Sequence, residues 1–276
     1  MFQKVAFIGA GSMAEAMISG ILAKEFLNPA QLFITNRDNK ERLERLEKSY
    51  QVHCSSEKEE VVRDANVIIL SMKPKDVVDA IQDIKPYITA DQLIISVLAG
   101  VSTDYLSNEL GENVAVVRAM PNTSAMIGFS ATAISPGKFA NENHVEQAVS
   151  LFQTIGTTVV VEESDLHTIT GLSGSGPAYI YYFVEAMERA AQEAGLKQEV
   201  AKDLIIQTLV GAAEMLKISE DHPSVLRQKI TSPGGTTQAG LETLEQYKYQ
   251  EGIISCIKRA TQRSIELGSP YQSSVK

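Results

Sequence analysis

Cysteine is nearly missing from this chain. Cys54 and Cys256 are the only two among 276 residues, far apart and without CxxC spacing. A disulfide framework and a thiolate metal site are therefore not expected, and a reducing compartment is. No uninterrupted apolar run approaches the ~20 residues that a membrane span requires, so no membrane partner is expected. The N-terminus shows no basic stretch leading into a long apolar core and cleavage site. It runs almost directly into Val5-Ala6-Phe7-Ile8-Gly9, and no signal peptide is expected. Basic residues are outnumbered, 25 Lys and Arg against 34 Asp and Glu, for a net charge of −9. That argues against nucleic-acid binding and requires any positive potential for an anionic ligand to be local. HExxH, a nucleophile elbow and an acidic metal cluster are all absent, so no metal is expected. His53, His144, His167 and His222 are scattered and read as surface or packing residues rather than catalysts. There is no internal repeat and no low-complexity stretch. What is present is a chain of 44% hydrophobic content, long enough for two modest domains with real cores. A cytoplasmic protein is expected.

Short apolar runs alternate with helical periodicity through the first half. Lys4–Ile8, Gln31–Thr35, Val67–Ser71, Leu93–Val97 and Val114–Ala119 read as strands. Ala14–Lys24, Lys40–Tyr50, Asp76–Ile84 and Thr103–Leu110 read as helices. Continuous Val/Ile/Leu strands alternating with helices predict a mostly parallel, doubly wound sheet covered on both faces. Ala131–Ser135 and Thr157–Val161, flanking a helix near Glu142–Ile155, add a final βαβ-like unit. After Val161 the pattern is helical almost to the end: Tyr179–Ala194, Gln198–Leu216 and a long amphipathic Gly240–Leu267. Helices apolar around most of their circumference need burial on more than one side, which predicts an all-α second domain completed by a second subunit. The boundary falls near residue 162, dividing the chain into 1–162 and 163–276. The tail Ser269–Lys276 is polar and expected to be mobile.

Gly9-Ala10-Gly11-Ser12-Met13-Ala14 follows the first strand and opens the first helix. This is the GxGxxG/A dinucleotide pattern in the context it needs: Gly9 for the tight turn, Gly11 for approach of the pyrophosphate, and Ala14 for close helix–strand packing. The tip of the second strand selects the cofactor. NAD sites place an acid there for the ribose 2′-hydroxyl, whereas this chain has Thr35-Asn36-Arg37. Arg37 can pair with a 2′-phosphate and Asn36 can donate to it. NADPH is therefore the expected cofactor, with NADH as the alternative. Ser71-Met72-Lys73-Pro74 and Val97-Leu98-Ala99 sit at the carboxyl ends of later strands, the edge where open α/β sheets bind ligands. Simple packing is an equal account of Met72 and Leu98, as is a helix-start charge of Lys73.

Three further polar turns stand out. Arg118-Ala119-Met120-Pro121-Asn122-Thr123 ends a strand, placing Asn122 and Thr123 toward the same crevice. Gly174-Ser175-Gly176-Pro177-Ala178-Tyr179 opens a helix, with Pro177 suited to a first helical position. Ser232-Pro233-Gly234-Gly235-Thr236-Thr237 lies between helical segments. Pro233 stops a preceding helix, the glycines allow close ligand approach, and the threonines start the next helix. A glycine-rich turn opening a helix suits an anion. On these residues alone, an ordinary helix–helix connector explains the turn as well.

Together GAGSMA, TNR, SMKP, SVLAG, RAMPNT, TGLSGSGPAY and TSPGGTT, in this order over nearly the whole chain, resemble the pyrroline-5-carboxylate reductase family. The resemblance implies a Rossmann domain followed by an all-α dimerisation domain, with dimers that assemble further into decamers. It implies NAD(P)H-dependent reduction of the cyclic imine 1-pyrroline-5-carboxylate to L-proline. By the same likeness, Gly9 to Ala14 hold the pyrophosphate and Asn36 and Arg37 take the adenine-ribose end. Ser71 to Pro74 and Val97 to Ala99 line the rest of the groove. Ser232 and the N–H groups of Gly234, Gly235 and Thr236 receive the substrate carboxylate, in a turn supplied by the partner subunit. Thr237 meets the ring nitrogen as the catalytic hydroxyl. Three positions depart from the family pattern: Ser124 stands where Pro is usual, His167 where an acid is common, and no Asn occurs among Ser55, Ser56, Glu57 and Lys58. A reductase of another cyclic imine or of a hydroxy acid, and a non-catalytic NADP-binding paralogue, are the rival readings.

Overall fold

The computed structural model describes residues 2–111 and 113–272. Eight strands form one sheet: β1 (Val5–Ile8), β2 (Leu32–Thr35), β3 (His53–Cys54), β4 (Val67–Leu70), β5 (Leu93–Ser96), β6 (Ala115–Met120), β7 (Ser130–Pro136) and β8 (Gly156–Val160). Their spatial order is β3-β2-β1-β4-β5-β6-β7-β8. Every neighbouring pair runs parallel except β6 and β7. Between the strands lie α1 (Ser12–Ala23), α2 (Lys40–Tyr50), α3 (Lys58–Val62), α4 (Val77–Ile84), α5 (Thr103–Leu110) and α6 (Glu142–Phe152).

The central strands carry apolar residues at consecutive positions because both faces of the sheet are covered. Val5 and Phe7 of β1, Val67 and Ile69 of β4, and Leu93 and Ile95 of β5 pack on one face with Met17 of α1, Leu46 of α2 and Phe152 of α6. Ala6, Ile8, Ile68, Leu70 and Ile94 pack on the other with Val62 of α3, Ile81 of α4 and Leu106 of α5. A strand turns successive side chains to opposite faces, so an unbroken apolar run is what two helical layers demand. The strand order reverses between β1 and β4, and the crevice beyond their carboxyl ends is where such sheets bind ligands.

After the sheet come α7 (Leu166–Ile169), a π-helical turn over Thr170–Gly174, α8 (Gly176–Glu193), α9 (Gln198–Ile218), α10 (Pro223–Lys229), α11 (Thr236–Gln246) and α12 (Tyr249–Gly268). The chain forms two compact units, Met1–Pro177 with Lys258–Lys276, and Ala178–Ile257. Residues 163–177 and the end of α12 thus pack with the sheet. His167 Nδ1 lies 2.9 Å from Ser264 Oγ, and Gly100 and Gly268 approach so closely that a Cβ on Gly100 would sit 2.8 Å from Gly268 Cα. In the second unit the helices leave Tyr182, Leu204 and Ile254 exposed, and α8 buries none of its residues within the chain. No helix of the described residues is long and apolar enough to cross a membrane.

Two sequence expectations are corrected. Gly240–Leu267 is not one helix: α11 ends at Gln246 and α12 begins at Tyr249, with Lys248 at φ +52° in the left-handed region. Neither Gly nor Pro marks the break. The tail is not wholly free: Ser269–Tyr271 form a 3-10 turn. Tyr271 stacks edge-on against Tyr105 at 5.5 Å, and Ser102 Oγ donates to Tyr271 O at 2.9 Å. The remainder of the expected tail, residues 273–276, lies outside the described residues.

Candidate functional site

The turn after β1 is locked to its neighbours. Gly9 N–H donates to Thr35 O at 2.8 Å, Ser71 N–H donates to Ile8 O at 2.9 Å, and Ser71 Oγ donates to Gly9 O at 2.9 Å. Gly9 has φ +113°, and a Cβ there would lie 2.6 Å from Met72 N and 2.7 Å from Ser71 C. The protein itself therefore requires glycine at this position. Gly11 differs. It is the N-cap of α1 with φ −75°, ψ −174° and no side-chain cap, a conformation open to any residue. Its Cβ would meet nothing closer than Ser71 O at 3.8 Å. Gly11 and Ser12 are exposed, Ala10 and Ala14 are buried, and Met13 packs against the core. The first turn of a helix leaves its N–H groups without intrahelical acceptors, and here the exposed Gly11 and Ser12 stand at its start, at the switch point.

At the tip of β2, Asn36 and Asn39 close a tight turn. Asn39 N–H donates to Asn36 Oδ1 at 3.0 Å and Asn36 Nδ2 donates to Asn39 O at 2.8 Å. Arg37 Nη1 donates to Asp76 Oδ1 at 2.9 Å, across a pocket also lined by Gly9, Thr35, Asn36 and Met72. Lys58, paired with Asp83, lines the same pocket. It stands in the 55–58 segment that lacks an Asn, and nothing in the sequence marks it out. Pro74 opens a short 3-10 turn, Pro74–Asp76, that sets Asp76 opposite Arg37. Met72 packs against the core while Lys73 is exposed. Val97 and Ala99 are half-buried, but Leu98 is 1% exposed and belongs to the core. Of the two accounts of its side chain, packing is the one observed.

In the second unit, Gly234 has φ +70° and Gly235 is the N-cap of α11. Gly234 N–H donates to Gln238 Oε1 at 2.7 Å, and Gly235 N–H donates to Ser232 O at 3.0 Å. Two of the three N–H groups expected for a carboxylate are thus engaged within the turn. Ser232, Thr236 and Thr237 are exposed, and their hydroxyls make no hydrogen bond to another described residue.

Arg118 on β6 is a buried cation that sequence reasoning left as part of a motif. It is 1% exposed. Its Nη1 donates to Glu163 Oε1 at 3.2 Å, while Nε and Nη2 are buried without a partner among the described residues. Burial lowers its pKa, opposed by Glu163. The Glu163 carboxylate also accepts from Thr103 N–H at 2.8 Å and from the Thr103 hydroxyl. Asn122 does not project freely into a crevice: its Nδ2 donates to Ser173 O at 3.1 Å and its Oδ1 accepts from Ser124 N–H at 3.1 Å. It pins the turn after β6 to the π-helical turn.

Comparison with known proteins agrees with this fold. A family model described as pyrroline-5-carboxylate reductase dimerisation matches residues 163–267, which supports oligomerisation of this chain. One described as NADP oxidoreductase coenzyme F420-dependent matches residues 4–100. Pyrroline-5-carboxylate reductase 2 of Bacillus subtilis (strain 168) is 48% identical over 269 residues, covering 98% of this chain and 96% of the relative. Pyrroline-5-carboxylate reductase 1 of the same organism is 44% identical over 270 residues, covering 98% and 91%. Among solved structures, Plasmodium falciparum pyrroline carboxylate reductase with NADP bound superposes with a TM-score of 0.88 at 29% identity, covering 96% of this chain and 98% of that one. The chain belongs to the pyrroline-5-carboxylate reductase family.

Proposed function

We propose that this protein reduces 1-pyrroline-5-carboxylate to L-proline with NAD(P)H, the last step of proline biosynthesis. The observation that carries the reading is the glycine-rich cradle at the switch point, in a chain of which 98% aligns with a pyrroline-5-carboxylate reductase. The residues fit a dinucleotide. Glycine at position 11 is not demanded by its own backbone or neighbours, as expected where a pyrophosphate lies against the main chain. The uncapped start of α1 suits its charge. At the β2 tip, Arg37 rather than an acid favours NADPH over NADH. Gly9 to Ala14 take the pyrophosphate, Asn36 and Arg37 the adenosine phosphate, and Ser71 to Pro74 with the backbone of Val97 to Ala99 the remainder of the groove. Dinucleotide binding is assigned to residues 1–162, and substrate binding with dimerisation to 163–276. The assembly is a homodimer or a decamer built from dimers, working in the cytoplasm, as its two free cysteines suit.

When bound, the reduced nicotinamide supplies a hydride. The chain's own task is to hold the imine by its carboxylate and to manage the proton on nitrogen. Ser232, Thr236 N–H and the positive end of α11 hold the carboxylate. Gly234 N–H joins them when Gln238 gives up its hydrogen bond, and Gly235 shapes the turn. A protonated iminium accepts hydride readily, so a strong acid is not required. The Thr237 hydroxyl orients the nitrogen or relays its proton, and fixed orientation supplies much of the acceleration. The test is NADPH oxidation, followed by its absorbance, with 1-pyrroline-5-carboxylate against a panel of other cyclic imines and hydroxy acids. L-Proline formation in step with NADPH loss is expected. Turnover only on another substrate, or NADPH binding without turnover, would replace this reading by one of its rivals.

A further inference from the structure

We propose that Arg42, on the second helix, is the positioning residue that fixes the Ala10–Gly11 peptide of the glycine-rich loop, turning its N–H toward the pyrophosphate. The inference rests on the dinucleotide reading above and deepens it. The Arg42 side chain is 13% exposed. Its Nε donates to Ala10 O at 2.6 Å. Its Nη2 donates to Gly11 O at 3.3 Å and to Glu15 Oε2 at 2.6 Å. The other Glu15 oxygen accepts from Tyr50 OH at 3.3 Å. The guanidinium is therefore spent on two loop carbonyls and one carboxylate.

A peptide unit is planar and trans, so the carbonyl of one residue and the N–H of the next point in opposite directions. With the Ala10 carbonyl turned to Arg42, the Gly11 N–H faces away from it. The Gly11 carbonyl, shared between Glu15 N–H at 3.1 Å and Arg42 Nη2 at 3.3 Å, turns the Ser12 N–H the same way. These are the two donors at the mouth of the cradle. Glycine at position 11 offers little resistance to a peptide flip, and a flip would present carbonyl oxygens to the phosphates. The Gly11 carbonyl is already held by the first intrahelical bond, from Glu15 N–H at 3.1 Å, so the peptide whose orientation has to be imposed from outside is Ala10–Gly11, and Arg42 Nε imposes it. Lysine is not an equivalent, because one ammonium does not reproduce the planar fork that reaches both carbonyls and Glu15. Arg42 also sits on the helix whose N-cap, Asn39, is bonded to Asn36, so one helix start fixes both phosphate-facing ends.

The experiment compares two ligands in wild type, Arg42→Met and Arg42→Lys, with thermal unfolding as the check on folding. NADPH carries the pyrophosphate; adenosine 2′-phosphate does not. Arg42→Met is expected to weaken NADPH by about 10–100-fold, as for losing hydrogen bonds to a charged donor, and to leave adenosine 2′-phosphate within about twofold. Arg42→Lys shows a smaller loss, again confined to NADPH, and carries the test alone if the methionine variant does not fold. Equal weakening of both ligands, or unchanged NADPH affinity, overturns the proposal. Wild-type protein that binds neither ligand overturns the dinucleotide reading itself.

Discussion

Gly9 and Gly11 belong to one motif but owe their glycines to different causes, and alanine separates the two. At Gly9 the added Cβ meets main-chain atoms of Met72 and Ser71 at 2.6–2.9 Å, which no side-chain rotation can relieve. Holding alanine at φ +113° costs about 1–2 kcal/mol and the overpacking about 1–3 kcal/mol more. The sum, roughly 2–5 kcal/mol, is a large part of a typical stability of about 5–15 kcal/mol. It corresponds to a fall in Tm of roughly 4–20 °C. At Gly11 the backbone is ordinary and nothing stands closer than 3.8 Å. Lower unfolded-state entropy favours alanine by about 0.4–1 kcal/mol, which offsets its poorer fit at an N-cap, so stability stays within about 1 kcal/mol of wild type. The methyl group projects toward the approaching pyrophosphate instead. A crowding cost of about 1–3 kcal/mol weakens NADPH by about 5–150-fold. Thermal unfolding by circular dichroism together with NADPH titration reads both quantities. Gly11→Ala binding NADPH as well as wild type, or Gly9→Ala melting like wild type, would refute the reasoning.

Arg37→Asp removes a charge-assisted contact of about 1.5–3 kcal/mol and lowers NADPH affinity by about 10–150-fold without weakening NADH. Titrations of both cofactors check this, and an unchanged ratio would dismiss Arg37 as the selector. Thr237→Ala is expected to lower kcat by roughly 100-fold while NADPH affinity stays within about twofold; unaltered turnover would remove Thr237 from the chemistry. Burial, and then the charge of Arg118, hold the His167 imidazole below its ordinary value, with Glu163 opposing. The unfolded chain takes up that proton from about pH 6.5 downward, before the folded protein does. Stability contributed by neutral His167 is therefore intact above that pH and declines as pH falls toward the depressed folded value. Urea unfolding across this window should show a shallower decline in His167→Asn, and equal slopes would count against the assignment.

The central sheet was legible because its causes are local in sequence. Runs such as Val67-Ile68-Ile69-Leu70 leave no polar face, and the GxGxxA spacing sits where strand meets helix. β3, with only His53 and Cys54, is too short for periodicity to register. The break before α12 rests on Lys248 adopting a left-handed conformation, which its residue type does not announce. Gly9, Asn36 and Arg37, which line one pocket, were readable from spacing. Arg42 was not, because on a helix rich in Lys, Arg and Glu it resembles any solvated charge, and its role depends on which face of α2 turns to the loop. The Arg118–Glu163 pair joins positions on separate elements that only the folded sheet brings together. The turn at Ser232 was recognised as unusual, yet the use of Gly234 and Gly235 N–H groups by Gln238 and Ser232 depends on turn geometry rather than composition.

An acidic chain that binds a phosphate-rich cofactor must supply local positive potential, and the arrangement of ion pairs indicates where it comes from. Arg37, Arg42 and Lys58 are each matched by a carboxylate: Asp76, Glu15 and Asp83. Those three charges are therefore matched before any ligand arrives. What remains is Lys73, exposed and without an ion pair among the described residues, and the backbone: the N–H groups at the start of α1 and the dipole behind them. The pairs differ in how readily they can be exchanged. Asp76 is 25% exposed, much like Glu15, but Arg37 is 64% exposed and stays largely in water, which screens the pair, so a 2′-phosphate can take Arg37 from Asp76 more cheaply than Arg42 can be taken from Glu15. Arg42 and Glu15 are 13% and 24% exposed, and parting them would strand charges away from water. The first pair suits a contact made anew with each ligand, and the second suits a fixture that keeps the loop in one conformation between turnovers.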